Sequence, residues 1–260
     1  MAGCTFAIPA VSGATTSKRN DLRLRTFLLA TRNEHKVIEI GDVLGAEFQF
    51  LTLNTFPAAP PVIEDAGTFS GNATKKAVEL AKWFSVSAAE QQRSGAEVLV
   101  LADDSGLEVD ALNGAPGVHS ARFAALDSGS PENSSDDANK AKLFQLLKDV
   151  PFAKRTARFR CVLALTPVLR AAPATSSPVC AADEFELQTE LFEGTCEGRI
   201  ALAPRGQGGF GYDPLFVPDG YDKTFGELPE AVKNSISHRA RALAGLRQAI
   251  SGNLQRTRTR

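Results

Sequence analysis

Two carboxylates stand side by side in "VLVLADDSG" (98–106), where five apolar residues, Val98 to Ala102, run into Asp103 and Asp104. The run reads as a buried strand with both acids at its end. About 4 Å apart, two such charges repel by roughly 1 kcal/mol in water and about 4 kcal/mol at a half-buried site. A metal ion is the evident compensation. "VIEDAG" (62–67) offers Glu64 and Asp65 at the end of a loop. With Asp103 and Asp104 they make an oxygen-rich set suited to magnesium, which keeps waters and substrate phosphates among its ligands. Taken singly, each acid is a solvated loop charge; only the set points to a metal.

"LLATRNEHK" (28–36) reads as a strand end, a tight polar turn and a helix start. Free N–H groups at that helix start, with Arg32, Lys36 and the Asn33 amide, could cradle phosphate. A plain N-cap among solvated charges explains the same residues. "KNSISHRARAL" (233–243) places Lys233, His238 and Arg239 ahead of an apolar helix, with Ser235 or Ser237 as caps. Cations at a helix N-terminus are unfavourable unless an anion or acceptor answers them, and such local conflicts are expected at functional sites. His35 and His119 lack comparable company and read as structural or surface residues. "GQGGFG" (206–211) matches a dinucleotide fingerprint letter for letter, yet the following "YDPLFV" reads as strand, where the fingerprint requires a helix. The match is accidental. The glycines suit close approach of the backbone to a flat ligand, with Phe210 and Tyr212 available for stacking, or else a tight turn with core aromatics.

The elements that must hold these groups follow from periodicity. "TFLLA" (26–30) is a short buried strand, and Glu34 to Leu44 has helical apolar spacing. "EFQFLTL" (47–53) alternates as a strand; a Pro- and Ala-rich loop, 54–63, leads to a helix over about 72–89. After the 98–102 strand the chain continues extended through "LEVDAL". A helix over 136–148 has Ser135 or Asp137 as its cap. "ARFRCVLALT" (157–166) and "FELQTELFEGTCEG" (185–198) are long strands with period-2 patterning. A short strand at 215–217 and a helix over 237–250 close the domain. Helices and strands alternate first and long strands pair later, so the class is α/β with a mixed sheet and flanking helices. Ligands in such sheets gather at strand ends.

At 260 residues, 43% hydrophobic and 23% charged, the chain has ordinary globular composition, and its formal net charge of −1 leaves no basic field for nucleic acid. The four cysteines are scattered with no C-x-x-C pair, which argues against a zinc site and fits a reduced, cytoplasmic compartment. No apolar run approaches the roughly 18 residues of a membrane span. Residues 1–25 have some transit-peptide character but read more simply as a disordered N-terminal extension. Residues 167–183 read as a surface insertion, and 253–260, ending "RTRTR", as a flexible tail.

Seven blocks, in order, resemble one family: "ATRNEHK", "EDAGTFSGNATKKA", "ADDSGLEVDALNGAPGVHSARF", "RFRCVLAL", "FEGTCEGRI", "GGFGYDPLF" and "SISHRAR". The chain resembles the inosine triphosphate pyrophosphatases, or Ham1-like dITP/XTP pyrophosphatases, from about Thr26 to Ile250. The resemblance implies an elongated α/β fold with two lobes around a central nucleotide cleft, usually as a homodimer. It implies Mg²⁺-dependent hydrolysis of ITP, dITP and XTP to monophosphate and pyrophosphate, which keeps deaminated bases out of DNA and RNA. By position it implies that Thr31, Arg32, Asn33, Glu34, His35 and Lys36 form the phosphate turn, with Lys76 reaching phosphate. Asp104 matches the catalytic acid, a general base and metal ligand; Glu64 matches the second metal acid, and Ser105 a substrate contact. Phe210, Gly211, Tyr212 and Asp213 match the base segment, and Lys233, His238 and Arg239 the purine contacts.

Two departures stand out. Arg32 replaces a glycine common in the first turn, adding a charge beside the phosphates. Gly71 stands where a Glu is common, so Glu64, Asp103 and Asp104 must serve without it. Two other readings compete: a pyrophosphatase of related fold acting on modified pyrimidine nucleotides, and a non-catalytic nucleotide sensor. The "SHR" and "FGYD" blocks disfavour the first; Gly71 lends the second some weight. An aspartyl phosphatase would want D-x-D at the strand end, and a P-loop enzyme G-x-x-x-x-G-K-S/T; neither is present.

Overall fold

Thr26–Leu29 forms β1, a short strand buried along its whole length, second from one edge of a six-stranded sheet. The computed structural model describes residues 25–87, 98–130, 132–169 and 183–258, with side chains to residue 251. The expected extension up to residue 24, the insertion's residues 170–182 and the last two residues lie outside that range. The other strands are β2 (Gln49–Thr52), β3 (Val98–Val109), β4 (Thr156–Pro167), β5 (Glu190–Ile200) and β6 (Phe216–Pro218), in spatial order β2-β1-β3-β4-β5-β6. β1 pairs in parallel with β2 and β3, and the remaining pairs are antiparallel. The mixed α/β sheet is therefore as expected.

Helices cover both faces. α1 (Glu34–Leu44) packs Ile40 and Leu44 with Phe27, Leu29 and Leu163 on one face, where Leu243, Leu246 and Ile250 of the last helix join them. α2 (Phe69–Val86) covers the opposite face with Phe69, Ala73, Leu80 and Phe84 over Val100, Ala102, Val162 and Ala164. Each fully buried large side chain contributes about 1.5–3 kcal/mol. The remaining helices are α3 (Asp136–Leu147), α4 (Glu184–Leu187), α5 (Glu230–Ile236) and α6 (His238–Arg258). Of the alternative caps for α3, Ser135 is used, accepting from Ala138 N at 3.2 Å.

Several boundaries differ from the sequence reading. The helix expected over about 72–89 starts earlier, at Phe69, and ends at Val86, with 88–89 outside the described residues. The strand expected from Phe185 begins at Glu190, because Asp183 caps a single helical turn over Glu184–Leu187. The last helix runs past Ile250 to Arg258, so 253–258 are helical rather than a loose tail; no proline or glycine stops the helix after Gly252. Most consequential, β3 does not end at the acids. It runs through Asp103, Asp104 and Gly106 to Val109, paired with β4 throughout, whereas its pairing with β1 stops at Leu29↔Leu101. Beyond that point β1 no longer pairs with β3; Lys76 Nζ donates to the Asp103 carbonyl there, and the 114–120 segment bonds to the edge from Leu107 to Val109.

Candidate active site

Strand geometry answers the crowding of the two acids. Adjacent residues of a strand point to opposite faces, and Asp103 and Asp104 do so, which corrects the expectation that they share a metal. Asp103 is buried on the α6 side. It accepts from Lys36 Nζ (2.5 Å), Arg239 Nε (2.8 Å), Ser105 Oγ (2.5 Å) and Cys161 Sγ (3.3 Å). Burial alone would raise its pKa; Arg239 and Lys36 outweigh that and hold the carboxyl well below the usual carboxylate range. It has no oxygen free for a metal.

Asp104 faces α2. Its Oδ1 lies 3.6 Å from Lys76 Nζ, and its Oδ2 is buried without a hydrogen-bond partner among the described residues. Burial raises its pKa against the opposing pull of Lys76 and Lys36. Lys76 Nζ also lies 3.2 Å from Glu64 and donates to the Asp103 carbonyl at 2.8 Å. Glu64 and Asp104 thus converge on one lysine. Asp65 is exposed, turns away and pairs with Lys75 at 2.7 Å. Of the four candidate acids, only Glu64 and Asp104 remain as metal ligands. Among the described residues no group of three or more His, Cys, Asp or Glu side chains gathers as a metal site.

The turn after β1 is built as its sequence suggests. Ala30 N donates to Leu101 O (2.9 Å), Asn33 N to Thr31 Oγ1 (3.1 Å), and Asn33 Oδ1 caps α1 by accepting from Lys36 N (3.2 Å). Thr31, Arg32, Asn33 and Lys36 line a chamber of about 390 Å³ together with Glu64, Lys76, Asp104 and Ser105. Arg32 reaches across it to donate to Ala59 O at 3.3 Å. Glu34 and His35 do not line this chamber. Glu34 is exposed, and His35 stacks on Phe210 with centroids 5.2 Å apart, so that histidine does have company. A Cβ at Gly71 would stand 2.8 Å from Ala66 Cβ, so the loop carrying Glu64 packs where a larger residue's stem would go.

A second cavity, about 150 Å³, adjoins the chamber through four shared residues, Asn33, Lys36, Ser105 and Ala121. Phe210, Gly211, Tyr212, Asp213, Lys233, His238 and Arg239 all contribute to its walls. The glycine cluster serves the protein more than a ligand. A Cβ at Gly209, which has φ +70°, would collide with the Asp213 carboxylate, and one at Gly206 with the Gly226 backbone. Tyr212 is a wall: its hydroxyl donates to Ser120 O at 2.9 Å, and burial pushes its pKa up. Phe210 stays partly open, with Lys233 Nζ 5.0 Å from its ring centre.

The cations of the "KNSISHR" segment are answered by protein carboxylates, which corrects the argument that a ligand anion must do so. Lys233 lies in the last turn of α5, the favourable end for a cation. Its Nζ donates to Glu39 (2.5 Å) and Asp213 (2.6 Å), and those acids hold it protonated against burial. Arg239 bonds Glu39 through Nη1 and Ser105 Oγ through Nη2 (2.9 Å) besides Asp103. Ser237, one of the two expected caps, accepts from Ala240 N at 3.2 Å. His238 stacks on Phe159 at 4.7 Å, its Nδ1 lacks a partner among the described residues, and burial and then Arg239 push its pKa well below 6.5. It is a neutral imidazole.

Sequence reading missed Glu39, Asp136 and Arg122. Glu39 lies three residues after Lys36 on the buried stripe of α1, and an acid on an apolar stripe was the signal available. Asp136 accepts from Gly211 N at 2.7 Å, tying the base-side loop to α3.

Sequence and fold comparisons show the family. A family model described as the Ham1 family matches residues 27–249. The chain belongs to the Ham1 family. A protein of Desulforamulus reducens named dITP/XTP pyrophosphatase is 45% identical over 218 residues, covering 84% of this chain and 91% of the relative. One of the same name from Geobacter sulfurreducens is 44% identical over 225 residues, 86% of this chain and 96% of the relative. Among solved structures, a HAM1 protein from Coxiella burnetii has a TM-score of 0.68 at 33% identity, covering 88% of this chain and all of the other. A nucleoside-triphosphatase / dITP/XTP pyrophosphatase from Mycobacterium abscessus gives 0.60 at 36%, covering 85% and 98%.

Proposed function

We propose that this Ham1-family chain hydrolyses deaminated purine nucleoside triphosphates (ITP, dITP and XTP) to the monophosphate and pyrophosphate. One arrangement carries the reading: a base-sized cavity opens, through a neck at Asn33, Lys36 and Ser105, into a larger chamber holding Asp104, Glu64 and Lys76. A base in the first, an α-phosphate at the neck and the outer phosphates in the chamber use all of it.

The donor set fits Mg²⁺. Two carboxylates are few for an all-protein cage but suit an ion that keeps waters and substrate phosphates as ligands. The unpartnered, buried Asp104 Oδ2 is an acceptor awaiting a partner. Glu64 and Asp104 would hold the ion, which when bound neutralises phosphate charge and acidifies water. Asp104, with its pKa raised by burial, accepts the proton of the attacking water at its carboxylate. Lys76 holds Asp104 and Glu64 on one side of the chamber, and Lys36, fixed by Asp103, meets the phosphates at the neck. The N–H groups opening α1 face the same charge.

Base choice rests on a rigid wall. Lys233 spends two donors on Glu39 and Asp213, leaving one for an acceptor such as a purine 6-oxygen; neutral His238 offers one further N–H. An adenine amine there leaves a buried donor unpaired, at about 1–3 kcal/mol, which rejects adenine tenfold or more.

We further infer a homodimer acting in the cytoplasm. Among the described residues no helix is long and apolar enough to cross a membrane. A nucleotide panel with pyrophosphate detection, with and without Mg²⁺, tests the reading. Release from ITP and XTP far above ATP and GTP supports it. Preference for a modified pyrimidine nucleotide, or binding without turnover, overturns it.

A further inference from the structure

Four cations line the outer chamber: Arg32, Lys36, Lys76 and Arg122. Three were recognised in the sequence; Arg122 was not. Lys36 also belongs to the neck, whereas Arg122 lines only the outer chamber, beyond the neck from the base cavity. Lys36 is engaged by Asp103 (2.5 Å), Lys76 by the Asp103 carbonyl (2.8 Å) and Glu64 (3.2 Å), and Arg32, which is exposed, donates to Ala59 O (3.3 Å). Arg122 makes a single described hydrogen bond, from Nη2 to the Glu64 carbonyl at 3.0 Å, out of the five N–H groups a guanidinium carries.

Its placement is fixed in advance. Arg122 ends a short helix, Gly117–Arg122, pinned from three sides. Ser120 Oγ donates to Gly117 O (2.6 Å) and accepts from Leu107 N (2.9 Å). Tyr212 Oη donates to Ser120 O, and Asn139 Nδ2 to Ala121 O (3.1 Å). A half-buried guanidinium held by rigid backbone, with unspent donors in a phosphate-sized chamber, is suited to bidentate recognition of phosphate.

Resting on the reading above, we propose that Arg122 binds the outer phosphates of the substrate and hence the departing pyrophosphate. Its hydrogen bond to the Glu64 carbonyl also ties the loop carrying Glu64 to the same guanidinium. Charge that develops on the leaving group as the bond to the α-phosphorus breaks falls on oxygens facing Arg122, so its donors strengthen in the transition state.

The test uses the full chain and the variants Arg122→Gln and Arg122→Lys, with inorganic pyrophosphate and IMP as product inhibitors of ITP cleavage in Mg²⁺. Calorimetric titration of pyrophosphate and Mg²⁺ into each protein runs in parallel. For Arg122→Gln we expect kcat/KM to fall about 10²-fold, pyrophosphate affinity to weaken about tenfold or more, and IMP inhibition to stay within about twofold. Arg122→Lys restores part of the pyrophosphate affinity. Unchanged pyrophosphate affinity in both variants, or an equal loss for IMP, overturns the proposal. If Arg122→Gln does not fold, the Arg122→Lys titration decides, since a lost fork weakens pyrophosphate but not IMP. Failure of the unaltered chain to cleave ITP would sink the functional reading instead, while the pyrophosphate titrations would still judge Arg122.

Discussion

Glu39→Gln tests the buried ionic network more directly than any change at the reacting atoms. Three carboxylates, Glu39, Asp103 and Asp213, face three cations, Lys36, Lys233 and Arg239, and all except Lys36 are nearly fully buried. The set is neutral. Glutamine keeps the shape and one acceptor oxygen, but it leaves one net positive charge inside the domain. Each affected cation keeps another partner: Lys233 has Asp213 at 2.6 Å, and Arg239 has Asp103 at 2.8 Å. The loss is therefore less than that of stranding either cation alone. Breaking a buried pair costs about 3–5 kcal/mol, so about 3 kcal/mol is expected, out of a total of roughly 5–15 kcal/mol for a domain. Urea unfolding should show the midpoint falling with an unchanged slope. In a double-mutant cycle, Lys233→Met should recover part of the loss, because the surplus charge leaves with the lysine. A loss below about 1 kcal/mol, or strict additivity in the cycle, would refute the claim that Glu39 neutralises these cations.

Three further outcomes follow from the same geometry. Asp104→Asn should cut ITP turnover by about 10²-fold or more while leaving the melting temperature level or slightly higher, since burial already disfavours its charge; steady-state kinetics beside a thermal melt check both. His238 stays neutral in the fold, with its pKa well below 6.5, so the unfolded chain binds a proton that the folded one refuses. Stability should then fall as pH drops below about 6.5, by up to about 1.4 kcal/mol per pH unit, and urea midpoints of His238→Gln should lose most of that slope. Gly209→Ala should cost about 1–3 kcal/mol and weaken base selectivity, because its Cβ collides with the carboxylate that holds Lys233; denaturation plus the ITP-to-ATP ratio of kcat/KM would measure it.

Much of this was legible in order along the chain. The polar turn at Thr31–Lys36, the acid at Asp104, the loop acid Glu64 and the 210–213 and 233–239 segments each carry a local signal, although Asp104 lies inside β3 rather than at its end. Thr31, Arg32, Asn33, Lys36, Glu64, Asp104, the 210–213 segment, Lys233, His238 and Arg239 line the two joined cavities, and Glu34 and His35 do not. The misreadings of the paired acids and of the 233–239 cations share one cause. Charges adjacent in sequence were assumed to face one another or a ligand, whereas the strand alternation at 103–104 and the break between α5 and α6 turned them toward other parts of the protein.

The sequence by itself determined the mixed α/β class and which short segments carry chemistry, because hydrophobic period and turn residues act over neighbours a few positions apart. Only the tertiary structure decided which charges neutralise which. Glu39 meets Lys233 and Arg239 from about 200 residues away along the chain, Arg122 reaches back to Glu64, and Asp104 alone of its pair keeps an oxygen unclaimed. A buried charge takes its energy from whatever lies within a few ångströms, and chain folding, not sequence proximity, sets that neighbourhood.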